Sequence, residues 1–223
     1  MSAIFITATG TDIGKTFVAA GLIRHFRAAG RAIDALKPVA TGFDLAAAAA
    51  SDSGVLLDTL GRPLKLPEFN RISPWRFTAP LSPDMAARQE SKSIDFEKLV
   101  EVCRQAIARS AGTLLIEGIG GVMVPLDDSR TVLDWMAALD IPVLLVGGSY
   151  LGSLSHTLTA LDALRRCDLT IKALVINETP STPVPMPDTI ATLSRFVKAT
   201  PIIALSREPS GHRRFFAGLA DLL

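Results

Sequence analysis

Little in this sequence marks a secreted, membrane-bound or nucleic-acid-binding chain. There are only two cysteines, Cys103 and Cys167, far apart and without metal-ligand spacing. That excludes a disulfide framework and a cysteine zinc site, and both are read as buried or half-buried thiols in a reducing compartment. Excess charge of either sign is also missing: 23 Lys and Arg stand against 22 Asp and Glu, a formal net charge of +1. Nothing therefore favours DNA, RNA or an anionic membrane as partner. The longest apolar runs, such as "IPVLLVGG" from Ile141, fall well short of the ~20 residues of a spanning helix. "MSAIFITATG" has no basic leader, so it reads as the start of a strand rather than a signal peptide, and a cytoplasmic location is expected.

What is present suits one large core. The chain has 223 residues, 48% of them hydrophobic, and is read as a single domain over 1–223. Strand-like apolar runs alternate with helical patterns. "AIFITAT" (3–9) predicts a strand and residues 15–29 a helix; "AIDALKPV" (32–39) predicts the next strand, followed by an irregular region to about residue 93. Residues 95–110 predict an amphipathic helix, with Phe96, Leu99, Val100, Cys103 and Ile107 on one face. "TLLIEG" (113–118), "PVLLVG" (142–147) and "IKALVIN" (171–177) are short and apolar on both faces, the pattern of buried parallel strands. Together they predict a doubly wound, mostly parallel α/β sheet of the P-loop type, with ligands at the carboxyl ends of the strands. "AAAAA" (46–50) is the one low-complexity stretch, and fits a helix extension or a loop equally.

"ATGTDIGKT" (8–16) ends as a phosphate-binding loop ends, with Gly14-Lys15-Thr16 opening a helix after a strand. Thr9 stands where the usual G-x-x-x-x-G-K-[ST] pattern begins with glycine. The N–H groups from Asp12 through Ile13 and Gly14 to Thr16 would form a nest for phosphate oxygens. Lys15 would reach the β and γ phosphates, and the Thr16 hydroxyl would ligate Mg²⁺. Such a site needs carboxylates. Glu117 closes an apolar strand just before the glycines of "EGIGG", and could face the phosphates or simply end the strand. Asp52 in "ASDSGVLL" is either another ligand or a helix N-cap, and spacing does not decide. Lys37 ends the second strand before Pro38, where its ammonium either points at the same phosphates or sits solvated.

These pieces together resemble the dethiobiotin synthetase family. "TGTDIGKT" is similar to that family's variant loop, T-D-T-x-V-G-K-T, in which the first glycine is also displaced. "KPVATG" resembles its K-P-V-x-[ST]-G, "EGIGGVMVPL" its E-G-A-G-G-x-x-x-P-L, and "YLGSLSHTLTAL" its L-G-x-[IL]-[NS]-H-[TA] helix start. "RFTAPLSP" and "VIN" fit weaker features. There are departures. Gly10 stands for the usual aspartate, Ala8 for glycine and Asp12 for glutamate, while "TPIIALSREPSG" replaces the C-terminal turn that wraps the adenine. Residues 201–205 are the expected replacement.

The resemblance implies an ATP-dependent ligase that makes dethiobiotin from 7,8-diaminononanoate and CO₂, through a carbamate and a mixed anhydride. It implies Lys37 and Lys15 as catalytic cations and Thr16, Asp52 and Glu117 as Mg²⁺ ligands. Asp12, Ile13, Gly14, Lys15, Thr16, Phe17, Gly118, Ile119, Gly120, Asn177 and Glu178 would lie along ATP, with Asn177 at the adenine edge. Thr11 and Thr41 would meet the substrate. Gly152, Ser153 and Leu154, at a helix start supplied by a neighbouring subunit, would take its distant carboxylate, so a homodimer is implied. His156 is either a catalytic base or, as such a residue more often is, a packing or capping residue, and the sequence does not decide. A nucleotide-switch or partitioning ATPase is the main alternative, but the stretch "TATGTD" lacks the second lysine such loops carry. A GTPase would need an N-K-x-D motif, and an amidotransferase-type synthetase a further glutaminase domain; neither is present in this sequence. A homologue that binds nucleotide without turnover is the remaining alternative; the presence of Lys15, Thr16, Lys37 and Glu117 argues against it.

Overall fold

The computed structural model describes residues 2–223. In chain order the elements are β1 (Ser2–Ala8), α1 (Lys15–Ala28), β2 (Ile33–Leu36), β3 (Val39–Ala40), α2 (Asp52–Thr59), α3 (Leu66–Ile72), β4 (Trp75–Arg76), α4 (Pro83–Gln89), α5 (Phe96–Arg109), β5 (Thr113–Glu117), α6 (Val132–Leu139), β6 (Val143–Gly148), α7 (Ser153–Arg166), β7 (Ile171–Asn177), α8 (Met186–Phe196), β8 (Ile202–Leu205) and α9 (His212–Ala220). Six strands form one parallel sheet in the order β2-β5-β1-β6-β7-β8.

Alternation along each strand divides the core in two. Phe5, Leu114, Ile116, Leu145, Leu174 and Ile176 pack against α4 through α8. Ile4, Ile6, Leu115, Leu144, Val146 and Val175 pack against α1, α2, α3 and α9. Trp135 of α6 is the largest fully buried side chain, and stands edge-on to Phe5 with ring centroids 4.8 Å apart. Two buried faces explain why the strands are apolar throughout instead of alternating with polar residues.

The expected strands and helices around the sheet are present, with two differences and one misplaced thiol. The strand expected over 32–39 breaks at Lys37 and Pro38. Proline has no N–H for the ladder with β5. The chain leaves the sheet there, and the N–H of Trp75 donates to the Pro38 carbonyl at 3.0 Å, starting the small parallel β3–β4 pair. The region to residue 93 is not irregular. It carries α2, α3, β4 and α4, and both α3 and α4 open with a proline in the first turn. The alanine run ends in a single 3-10 turn, Ala48–Ala50. Cys103 is buried, but Cys167 at the end of α7 is exposed, against expectation, because it caps the helix rather than facing the sheet.

Trp135→Ala should lower the unfolding free energy by about 3–5 kcal/mol, because the rigid parallel sheet cannot close over the lost indole. Urea denaturation followed by circular dichroism measures this; a loss below about 1 kcal/mol would show that the cluster relaxes around the gap.

A candidate nucleotide and cation site at the strand ends

Parallel register brings the functional residues together. Leu36 pairs with Ile116, so Lys37 emerges beside Glu117. Ile6 pairs with Glu117 and Ala8 with Val146, so the loop after β1 opens between the ends of β5 and β6. One cleft of about 980 Å³ is lined by Thr11, Asp12, Gly14, Lys15, Thr16, Lys37, Thr41, Asp52, Ile119 and Gly120. Its far wall is Pro80, Leu81 and Ser82, from the "RFTAPLSP" segment.

The loop has the geometry of an anion cradle. Asp12 has φ 58 and Gly14 φ 103, both left-handed, on either side of Ile13. Such alternation turns successive N–H groups toward one point, ahead of the α1 N-terminus. A side chain at residue 14 is barred twice over: by its φ, and because a Cβ there would lie 2.4 Å from Asn177 Nδ2. Lys15 lies back across the loop and donates to the carbonyls of Gly10 (3.2 Å) and Gly120 (2.8 Å). Burial, with Lys37 nearby, lowers its pKa from 10.5 to about 8.

Lys37 is 2% exposed and inward-facing. Its ammonium donates to Glu117 Oε1 at 2.7 Å and the Gly118 carbonyl at 2.8 Å, and is 3.0 Å from Asp52 Oδ2. Burial opposes its charge, but Glu117 and Asp52 outweigh that, and its pKa stands above the ordinary lysine value. Burial likewise pushes Asp52 upward, while Lys37 overrides it and holds the carboxyl below its usual range. Asp52 is not the N-cap of α2. Ser51 is, its Oγ accepting from the N–H of Gly54 at 3.1 Å. Asp52 occupies the first helical position, where a carboxylate suits the helix dipole. A Cβ on Gly54 would lie 2.0 Å from the Ala48 carbonyl oxygen, so glycine there lets α2 seat against the preceding turn and fixes where Asp52 stands.

The donors suit a small hard cation. The Thr16 hydroxyl donates to Glu117 Oε1 at 2.8 Å and also lies beside Asp52. Glu117 Oε2 is buried and has no hydrogen-bond partner among the described residues. An orphaned carboxylate oxygen is costly unless something fills its place. Two carboxylates and a hydroxyl are few for an all-protein metal cage, and among the described residues no cluster of three or more His, Cys, Asp or Glu is present. Few ligands are what Mg²⁺ accepts when phosphates and water complete its shell.

Other expected residues take more structural positions. Asn177 Nδ2 donates to the Ile13 carbonyl at 2.9 Å, tying β7 to the cradle. Glu178 accepts from the Arg207 N–H (2.8 Å) and the Ser206 hydroxyl (3.1 Å), fixing the turn after β8. Those bonds, Arg207 first, hold its carboxyl below the usual range. Residues 201–205 are not among those that line the cleft holding Lys15 and Lys37. Asn177 pairs with Leu205 and Leu174 with Ile202, so only the end of β8 reaches the loop side. The turn at Ser206 and Arg207 follows, and beyond it stands His212, whose Nε2 is 2.8 Å from the Ser206 carbonyl and whose ring stands 5.4 Å from that of Phe17. The sequence marks this stretch, "TPIIALSREPSG", as a departure from the family's turn, and points to residues 201–205 within it. Gly152, Ser153 and Leu154 open α7 but do not line the cleft that holds Lys15 and Lys37. His156 is exposed, and its Nδ1 is 2.8 Å from the Tyr150 hydroxyl.

Known proteins resemble this chain along nearly its whole length. A family model described as an AAA domain matches residues 2–210. The ATP-dependent dethiobiotin synthetase BioD of Acidiphilium cryptum is 52% identical over 202 residues, covering 90% of this chain and 91% of that protein. The protein of the same name from Phenylobacterium zucineum is 44% identical, covering 100% of this chain and 95% of that one. Among solved structures, the cell division ATPase MinD of Pyrococcus furiosus superposes with a TM-score of 0.57 at 15% identity, covering 100% and 98% of the two chains. The MinC:MinD complex of Aquifex aeolicus gives 0.59 at 13%, covering 100% of this chain and 93% of that chain. At such identities the structural likeness carries the fold alone.

The lowered pKa of Lys15 has a consequence for stability. Between pH 8 and 10.5 the unfolded chain binds more proton at this lysine than the folded chain, so Lys15 contributes increasing stability as pH rises. Its penalty is full below pH 8 and gone above 10.5. The stability of the native protein relative to Lys15→Met should therefore grow by roughly 3 kcal/mol from pH 7 to 11. Urea titrations across that range measure the difference, and a flat or falling one would contradict the burial of this ammonium.

Proposed function

The chain belongs to the dethiobiotin synthetase family, ATP-dependent ligases of biotin biosynthesis, and on that premise we propose how its residues carry out the reaction. The substrates are 7,8-diaminononanoate, CO₂ and ATP. One substrate amine attacks CO₂ and loses a proton, giving a carbamate. A carbamate oxygen attacks the γ-phosphorus, and the bond to ADP breaks. The neighbouring amine attacks the carbonyl carbon of the mixed anhydride, the C–O bond to phosphate breaks, the amine's proton passes to the departing phosphate or to water, and the cyclic urea of dethiobiotin closes.

The chemical difficulty is electrostatic: a carbamate anion must approach a triphosphate. The observation that supports the reading is that two lysine ammoniums from separate elements enter one cleft, Lys15 from the start of α1 and Lys37 from the end of β2. Lys15 meets the β and γ phosphates over the N–H groups of Ile13, Gly14 and Thr16. Lys37 holds the carbamate oxygen and then the charge that develops on the anhydride, in a site where low dielectric strengthens each contact. Thr11 and Thr41, on the cleft wall, position the diamine, which is worth as much as charge in a reaction of this order. Thr16, Asp52 and Glu117 would hold Mg²⁺, which when bound neutralises phosphate charge. Asn177, Glu178 and Phe17 border the nucleotide, and Gly118, Ile119 and Gly120 lie along it. The N-terminus of α7, with Gly152, Ser153 and Leu154, takes the distant carboxylate of a substrate bound to a second copy, so the active form is a homodimer.

ADP release should require both the diamino acid and bicarbonate. Release indifferent to either would favour a nucleotide switch, and no release at all a binding-only homologue. Lys37→Ala should lower kcat by about 10²- to 10³-fold while nucleotide affinity stays within about threefold. Normal turnover with lost nucleotide binding would contradict the assignment. Glu117→Gln should raise the Mg²⁺ concentration needed for half-maximal rate, and an unchanged titration removes it from the ligand set.

A further inference from the structure

The ammonium of Lys37 has three hydrogens to donate, and three protein acceptors surround it. They are Glu117 Oε1 at 2.7 Å, the Gly118 carbonyl at 2.8 Å and Asp52 Oδ2 at 3.0 Å. A substrate oxygen can reach this nitrogen only if one of them lets go. The three are not equally held. Glu117 is 1% exposed on the central sheet, and its Oε1 also accepts from Thr16. Gly118 is backbone, with its own N–H bonded to the Ile6 carbonyl at 2.9 Å. Asp52 is on a helix first turn, its side chain is 50% exposed, and its contact is the longest of the three.

We propose that Asp52 is the exchangeable partner of Lys37: it leaves Lys37 for the divalent cation beside Thr16, and the freed N–H receives the carbamate oxygen. The inference rests on the function proposed above and adds a coupling to it. Asp52 competes with the carbamate for Lys37, and the cation competes with Lys37 for Asp52. Cation and carbamate must then strengthen each other's binding by the same factor. Asp52 is a positioning residue here, acting on the substrate through Lys37. A residue that merely orders Lys37 would have the opposite effect on substrate affinity when removed, so the two roles differ in sign.

The test is calorimetric titration of the full chain with 7,8-diaminononanoate in bicarbonate buffer, saturated with a non-hydrolysable ATP analogue, in Mg²⁺ and in EDTA. The native protein should bind about tenfold more tightly in Mg²⁺, within the usual range of coupling between sites. In EDTA, Asp52→Ala should bind more tightly than the native protein, and its Mg²⁺ effect should shrink toward none. Asp52→Asn, which keeps the shape of the side chain, should move the same way, and circular dichroism confirms that both variants fold. Asp44→Asn removes a carboxylate next to Phe43 of the cleft wall, where it caps the Ala46 N–H and does not touch Lys37, and should change affinity in EDTA much less. Weaker binding by both Asp52 variants in EDTA, or equal tightening by Asp44→Asn, overturns the exchange. Native binding indifferent to Mg²⁺ also overturns it but leaves the ligase reading standing. Native protein that binds no diamino acid under either condition refutes the ligase reading itself, and the exchange with it.

Discussion

A lysine buried against a glutamate at the ends of two adjacent strands is the constraint around which this site is built. Neither Lys37 nor Glu117 would be tolerated alone inside a protein, since an unpaired buried charge costs several kcal/mol. The pairing of Leu36 with Ile116 delivers them side by side, and Pro38 ends the strand just beyond. A shift of β2 by one residue would reverse which face each of its side chains meets and separate the pair. The fold thus protects the site through the same register that buries its apolar strands.

The two lysines show how one side chain is tuned in two directions within a single cleft. Burial, and then the charge of Lys37, lowers the pKa of Lys15, whose partners are neutral backbone carbonyls; Lys37 is buried too, but its two carboxylates outweigh that and its pKa rises. The first therefore gains most from an arriving anion, because a phosphate supplies the full negative charge that its present partners lack. The second, held between carboxylates, is the more firmly protonated of the two, as the role proposed for it requires. The division of labour follows from surroundings, since the side chains are identical.

Much of the scaffold was legible in the sequence because parallel strands buried on both faces leave short, continuous apolar runs. The loop was legible because Gly14, Lys15 and Thr16 sit where a strand gives way to a helix. The region to residue 93 was not, because α2, α3 and α4 are only seven or eight residues long and show little periodicity. That Lys37 turns inward depends on Glu117 and Asp52 arriving from elsewhere in the chain, a fact no single segment carries. Asp52 was ambiguous for a local reason: Ser51 and Asp52 are both good capping residues, and only the Ser51–Gly54 bond decides between them. Within "TPIIALSREPSG" the sequence points to residues 201–205, because without the family's motif nothing local ranks the turn after Leu205 above the strand before it.

The fold by itself would not have separated a ligase from a nucleotide switch, since the cell division ATPases share it. The distinction lies in where the second cation comes from. A lysine early in the phosphate loop supplies charge to the nucleotide only, and such a protein needs no other anion. Here residues 7–12 carry no lysine, and the second ammonium rises from β2, on the side of the cleft away from β6. A cation displaced sideways from the nucleotide is wasted on hydrolysis by water, which brings no charge to neutralise. It has a purpose when the attacking group is itself an anion. The position of Lys37 therefore argues for a charged nucleophile, and the carbamate proposed above is one.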